Sequence, residues 1–159
     1  MYDSVLLAYD GSREGRTALR EGALLARRFG SKVFLLCVVP ENPGVRIGEA
    51  AHAGAMVHTQ DVHVQLFEEA MERLQAFGFE RRGRLVTGEP AAEIAACARE
   101  IKADLLVVGH RKKSLLERWW SGGTGAYLVD HIGCSLLISR RLVSDAEFFA
   151  EVGPVEPAT

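Results

Sequence analysis

The stretch Ala103-Asp104-Leu105-Leu106-Val107-Val108-Gly109-His110-Arg111-Lys112-Lys113 decides how the rest of this chain is read. Its apolar run is short, rich in Leu and Val, and stops abruptly at Gly109, as a buried parallel strand does. Gly109 has no Cβ and permits a sharp exit from that strand. Further on, Ser121 is placed to cap a helix beginning near Gly122, with Leu128, Val129 and Ile132 as its apolar positions. The segment reads strand, glycine turn, basic loop, then the glycine-rich helix start Gly122-Gly123-Thr124-Gly125. Free N–H groups at a helix start attract anions, and glycines let a phosphate approach the backbone. The arrangement is that of a phosphate site.

Upstream, Ser4-Val5-Leu6-Leu7-Ala8-Tyr9 is a short apolar strand closed by Asp10-Gly11-Ser12. Either Asp10 or Ser12 can cap the following helix, whose stripe is Ala18, Gly22, Leu25, Ala26 and Phe29. Lys32 to Val39 is a second buried strand, closed by Pro40. Strand, helix and strand make a βαβ unit with a right-handed crossover. Glu41 to about Met56 shows no period and is expected to be a loop, functional or disordered. A helix is expected from about Val57 to Phe77, and Arg84-Leu85-Val86-Thr87 is a third strand. Pro90 suits the first turn of the next helix, which buries Ile94, Ala98 and Ile101. The opening strand comes next, and Cys134 to Ser139 is the fifth. Five strands alternating with four helices predict a three-layer α/β/α sandwich, an open Rossmann-like parallel sheet with helices on both faces. Residues 141–159 form a tail that is either loosely ordered or docked by Phe148-Phe149.

At 159 residues the chain suits one domain. A net charge of −2 gives no general pull toward nucleic acid or an anionic membrane. No apolar run approaches the roughly 20 residues of a membrane span, and the N-terminus lacks the pattern of a signal peptide. Cys37, Cys97 and Cys134 lie far apart in apolar settings and read as the buried, reduced thiols of a cytoplasmic protein. His52, His58 and His63 share no metal-like spacing with a carboxylate or cysteine. There is no nucleophile elbow, no spaced pair of acids and no base beside a nucleophile, so binding rather than turnover is expected.

The glycine spacing excludes the commoner phosphate loops. No Gly-Lys-Ser/Thr ending is present, and Asp10-Gly11-Ser12-Arg13 does not supply the dinucleotide fingerprint after the first strand. The segment resembles instead the nucleotide loop of the universal stress protein family, G-x2-G-x9-G-[S/T]. Gly109 and Gly122 stand at its first and third glycines; Lys112 replaces the second, and Gly123 stands where Ser or Thr is expected, with Thr124 one place later. Val5 to Ser12, Thr87-Gly88-Glu89-Pro90 and Ala103 to Gly109 also resemble that family, in the right order, so that the resemblance covers residues 2–140 as one domain.

The resemblance implies the strand order 3-2-1-4-5 and a ligand crevice where strands one and four adjoin. Asp10, preceded by Ala8 and Tyr9, and Val108 would lie near base and ribose, and Val38 would wall the base. Gly109, Gly122, Gly123 and Thr124 would wrap the phosphates, with Arg111, Lys112 and Lys113 neutralising charge. The implied cofactor is ATP, with or without Mg2+, and the implied role is regulation in stress response, any ATPase activity being weak and incidental. The implied assembly is a homodimer through Cys134 to Ser139, with a protein partner the sequence does not name and with neither nucleic acid nor membrane. A second reading is a dimeric module of the same family that has lost its nucleotide; it rests on Lys112, Gly123 and His110. A third, an adenylate-forming or electron-transfer enzyme of the same fold, would need a second substrate site and an adenylation motif, and the sequence has neither. Simpler roles stand beside these. Asp10 can be a helix cap, the Arg111 to Lys113 run a solvated loop, and Trp119 or Trp120 a buried ring.

Overall fold

The structure is a computed structural model and describes residues 1–40, 53–109 and 124–153, without the side chains of 53–60 and 124–126. Strands β1 (Ser4–Tyr9), β2 (Lys32–Pro40), β3 (Gly83–Gly88), β4 (Leu105–Gly109) and β5 (Ser135–Ser139) form one parallel sheet. Their order is β3-β2-β1-β4-β5, as expected. Helices α1 (Arg13–Phe29), α2 (Ala53–Ala76), α3 (Pro90–Glu100), α4 (Thr124–His131) and α5 (Asp145–Val152) complete the described elements.

Side chains alternate across each strand, and the two faces build two cores. Val5, Leu7, Tyr9, Leu35 and Val107 pack with α1, α2 and α5. Leu6, Ala8, Leu36, Leu106 and Val108 pack with α3 and α4. Right-handed crossovers explain this division. The chain moves outward from β1 to β3 with α1 and α2 on one face, then crosses to β4 and β5 with α3 and α4 on the other.

Local chemistry sets the helix ends. Ser12 Oγ accepts the Gly15 N–H at 2.9 Å and caps α1. Glu89 caps α3 by accepting the Ala92 N–H at 2.8 Å, and Pro90 occupies the first turn. Ser144 caps α5 through the Glu147 N–H at 3.1 Å. Asp104, just before β4, accepts the backbone N–H of Asp3 at 2.8 Å and thereby fastens the chain's start to the middle of the sheet.

Several expectations change in detail. Helix α2 begins at Ala53, so the expected loop loses residues 53–56, and its remainder lies outside the described residues. Phe29 is 42% exposed and Leu25 only half-buried. The buried arc of α1 turns toward Leu19, Ala23 and Leu24, because α5 lies against this helix as well as the sheet. Val129 is 52% exposed; Leu128 holds the inward face of the short α4 and Val129 lies a hundred degrees around it. Ile101 is the half-buried C-cap of α3 rather than a helix-interior residue. Cys134 precedes β5 instead of opening it.

Candidate functional site

The sheet reverses its winding between β1 and β4, and the crevice at their carboxyl ends is where such folds bind ligands. Ala8 pairs with Val108 on one side and Leu36 on the other, and all three side chains face α3 and α4. Strand β2 continues past β1. Its pairing with β1 ends at Tyr9–Cys37, while its pairing with β3 runs on through Val38–Val86 to Pro40–Gly88. Val38 and Val86, both half-buried and on the α3–α4 face, therefore rise as a wall beside the point where β1 stops. Ala8 is the small residue at the foot of that wall.

Asp10 follows at once and is exposed. Its Oδ1 accepts the Ser12 N–H at 2.9 Å and the Ser12 hydroxyl at 2.5 Å. The other carboxylate oxygen, Oδ2, has no hydrogen bond among the described residues. The turn that aims it is tightly built. Gly11 has φ +76°, in the left-handed region, and the Leu66 methyl groups of α2 fill the space where a side chain would stand. Gly15 leaves room for the carboxylate itself: a Cβ there would lie 2.5 Å from Asp10 Oδ1.

Gly109 does not face open space. A Cβ on it would meet the Glu14 carbonyl oxygen at 2.7 Å and the Gly15 nitrogen at 2.9 Å. The first turn of α1 therefore lies directly against the end of β4 and closes that side of it. Tyr9 belongs to the closed side. Its ring is buried in the α1–α2 core, where burial pushes the hydroxyl's pKa up against the opposing pull of its hydrogen bond with Arg16. Cys37 lies beside it, its thiol pushed up to about 12 by burial and then by the charge of Asp10. Neither group is ionised near neutral pH.

Among the expected site residues, Ala8, Asp10, Val38, Val108 and Gly109 thus gather at one end of the sheet, with the Tyr9 side chain turned to the opposite face. Arg111, Lys112, Gly122 and Gly123 lie outside the described residues, as do Lys113, His110, Ser121, Trp119 and Trp120. Thr124 begins α4, and its side chain is likewise outside the description. Sequence reading missed Val86, Gly15 and Leu66. The alternation of β3 could have flagged Val86, and the run Asp10-Gly11-Ser12-Arg13-Glu14-Gly15 could have flagged Gly15; Leu66 has no local signal. Among the described residues no group of three or more His, Cys, Asp or Glu side chains could hold a metal ion, and no helix is long and apolar enough to cross a membrane.

Set beside known proteins, the chain matches the sequence model of the universal stress protein family over residues 1–140. It belongs to that family. Universal stress protein MJ0531 of Methanocaldococcus jannaschii is 24% identical over 145 residues, covering 89% of this chain and 84% of that protein. Universal stress protein Sll1388 of Synechocystis is 25% identical over 152 residues, covering 88% and 99%. Among solved structures, hypothetical protein MJ0577 superposes with a TM-score of 0.67 at 22% identity, over 91% of this chain and 99% of that one. A universal stress protein in complex with cAMP gives 0.61 at 24% identity, over 87% and 97%. One from Archaeoglobus fulgidus in complex with dAMP gives 0.59 at 18%, over 86% and 97%. The family's fold and this sheet order agree.

Proposed function

We propose that the crevice beyond β1 and β4 binds an adenine nucleotide, and that this binding regulates partner contacts in a stress response. The observation that carries the reading is the pairing of Ala8 with Val108 below the Val38–Val86 wall, beside Asp10, whose Oδ2 has no hydrogen bond among the described residues. An apolar slot with one acceptor at its mouth suits a flat heterocycle that carries an amino group. Two family structures, solved with cAMP and with dAMP, support an adenine ligand. Gly109, Gly122, Gly123 and Thr124 would wrap the phosphates and Arg111 and Lys112 offset their charge, a reading that rests on the sequence pattern. ATP is the proposed ligand, with Mg2+ arriving on its phosphates. The activity proposed is binding and not catalysis.

The proposal includes a homodimer through β5, which ends the sheet and carries the apolar run Leu136, Leu137 and Ile138. An apolar edge invites pairing with a second strand. It also includes a cytoplasmic location, supported by three cysteines that are all free thiols. The departures at Lys112 and Gly123 favour a second reading, a nucleotide-free dimeric module of the same family.

Calorimetric titration of ATP, with and without Mg2+, into ligand-stripped protein decides between them. Micromolar or tighter binding, weakened by Asp10→Ala, is the outcome expected. No heat, and no rise in melting temperature at millimolar ATP, would leave the nucleotide-free module as the correct reading.

A further inference from the structure

Residues beyond the family domain supply α5, and α5 touches both helices that hold the Asp10–Ser12 turn. In its first turn, Asp145 accepts hydrogen bonds from Arg20 of α1 at 2.6 Å and from Arg73 of α2 at 2.8 Å. Phe148, on the same side of α5, is fully buried and stacks on Phe77, just past α2, with ring centroids 3.9 Å apart. Glu151 pairs with Arg28 near the end of α1. From Phe77 the buried stripe of α2 runs back through Leu74, Met71 and Ala70 to Leu66. Leu66 then closes over Gly11, between Asp10 and Ser12. One continuous helix is fastened by α5 at its C-terminal end and presses on the ligand turn from its middle, at Leu66.

We propose that α5 is a clasp: docked against α1 and α2, it holds Leu66 on Gly11 and so keeps the Asp10 carboxylate in its binding position. Release of α5 weakens ligand binding at the crevice, and ligand binding in turn tightens α5, because coupling between two sites is reciprocal. The ligand arm of this coupling rests on the nucleotide reading given above; the mechanical arm does not. Short terminal helices held by few contacts open locally at lower cost than the sheet they cover. Such opening would be transmitted along α2 as the loss of one packed end.

Hydrogen exchange read by mass spectrometry on the full ligand-free chain tests the mechanics, comparing the parent protein with Phe148→Ala and Asp145→Ala. Faster exchange is expected over 145–152 and, with it, over 62–76 and 11–16, while 33–37 and 105–108 stay protected. Faster exchange confined to 145–152, or none in Asp145→Ala, overturns the clasp. If Phe148→Ala exposes the whole sheet, Asp145→Ala, which removes only partly exposed ion pairs, supplies the reading. Calorimetry with ATP on Asp145→Ala should show affinity reduced by up to roughly fivefold; equal affinity would break the link between clasp and crevice. A parent protein that binds no ATP would defeat the nucleotide reading, and the exchange data would still decide the clasp.

Discussion

Gly109 and Glu14 are joined more closely than a side chain would allow. A Cβ on Gly109 would stand 2.7 Å from the Glu14 carbonyl oxygen and 2.8 Å from its carbonyl carbon. Both obstacles are backbone in the first turn of α1, and neither can rotate aside. Gly109→Ala should therefore separate α1 from β4 and cost about 1–3 kcal/mol, read as a lower urea midpoint with unchanged slope. Any loss of nucleotide affinity in this variant would have to be corrected for that damage before it is assigned to a phosphate contact. An unchanged midpoint would mean that α1 and β4 are not in contact at this point.

Ser12 serves two neighbours at once, capping Gly15 and steering Asp10. Ser12→Ala should lower stability by about 1 kcal/mol for the lost cap. It also leaves the Asp10 carboxylate held by the residue-12 N–H alone, so nucleotide affinity should fall further than in an exposed control such as Arg99→Ala. Calorimetry on both variants checks this; equal affinities would remove the tether from the site.

Ala8→Val puts two methyl groups at the foot of the Val38–Val86 wall. Nucleotide affinity is expected to fall roughly tenfold or more, since overfilling a packed slot costs about 1–3 kcal/mol. The melting temperature should change little, because Ala8 is only half-buried on its own face. A large loss of stability with intact binding would show that Ala8 floors the core and not the crevice.

Alkaline pH should weaken the fold through Cys37. Below pH 9 its thiol is neutral whether the chain is folded or unfolded. Between 9 and the folded value of about 12 only the unfolded thiol ionises, so stability falls across that window. Cys37→Ala should flatten the decline in a series of urea melts, and an identical decline in both proteins would exclude Cys37 as its source. For the same reason Cys37 should resist alkylation at pH 8 in the folded protein.

Acid acts on α5 in the opposite direction. Burial alone would raise the Asp145 carboxyl; Arg20 and then Arg73 outweigh it and hold it below its ordinary 3.8. Its contribution is present above that value and fades as pH falls through the lower folded one. The partners are partly exposed, so about 1 kcal/mol or less is at stake. Exchange protection in α5 should drop below pH 4 in the parent protein and show no such step in Asp145→Ala; the same step in both would exonerate this carboxyl.

The sheet was legible because strands buried on both faces must be apolar throughout, as Leu105 to Val108 and Val33 to Cys37 are. The Asp10 turn was legible for a local reason: an acid, a glycine and a serine at the end of a strand make a turn. The orientation of Tyr9 was open to reading too, since consecutive strand residues point to opposite faces and only one of Ala8 and Tyr9 can face α3. What sequence did not reveal lies far apart along the chain. Leu66 meets Gly11, Arg73 meets Asp145 and Asp104 meets Asp3 only after the sheet has formed. The rotation of the buried arc on α1 has the same origin, because α5 arrives from the far end of the chain.

The low foot of the Val38–Val86 wall has an evolutionary consequence. Alanine and valine codons differ by a single base, and that one change at Ala8 would level the slot while leaving every strand, cap and core contact in register. On the proposed nucleotide reading, ligand capacity is then a trait separable from heredity of shape, lost or regained in one mutational step. Two descendants of one parent could share nearly every residue and differ wholly in what they hold.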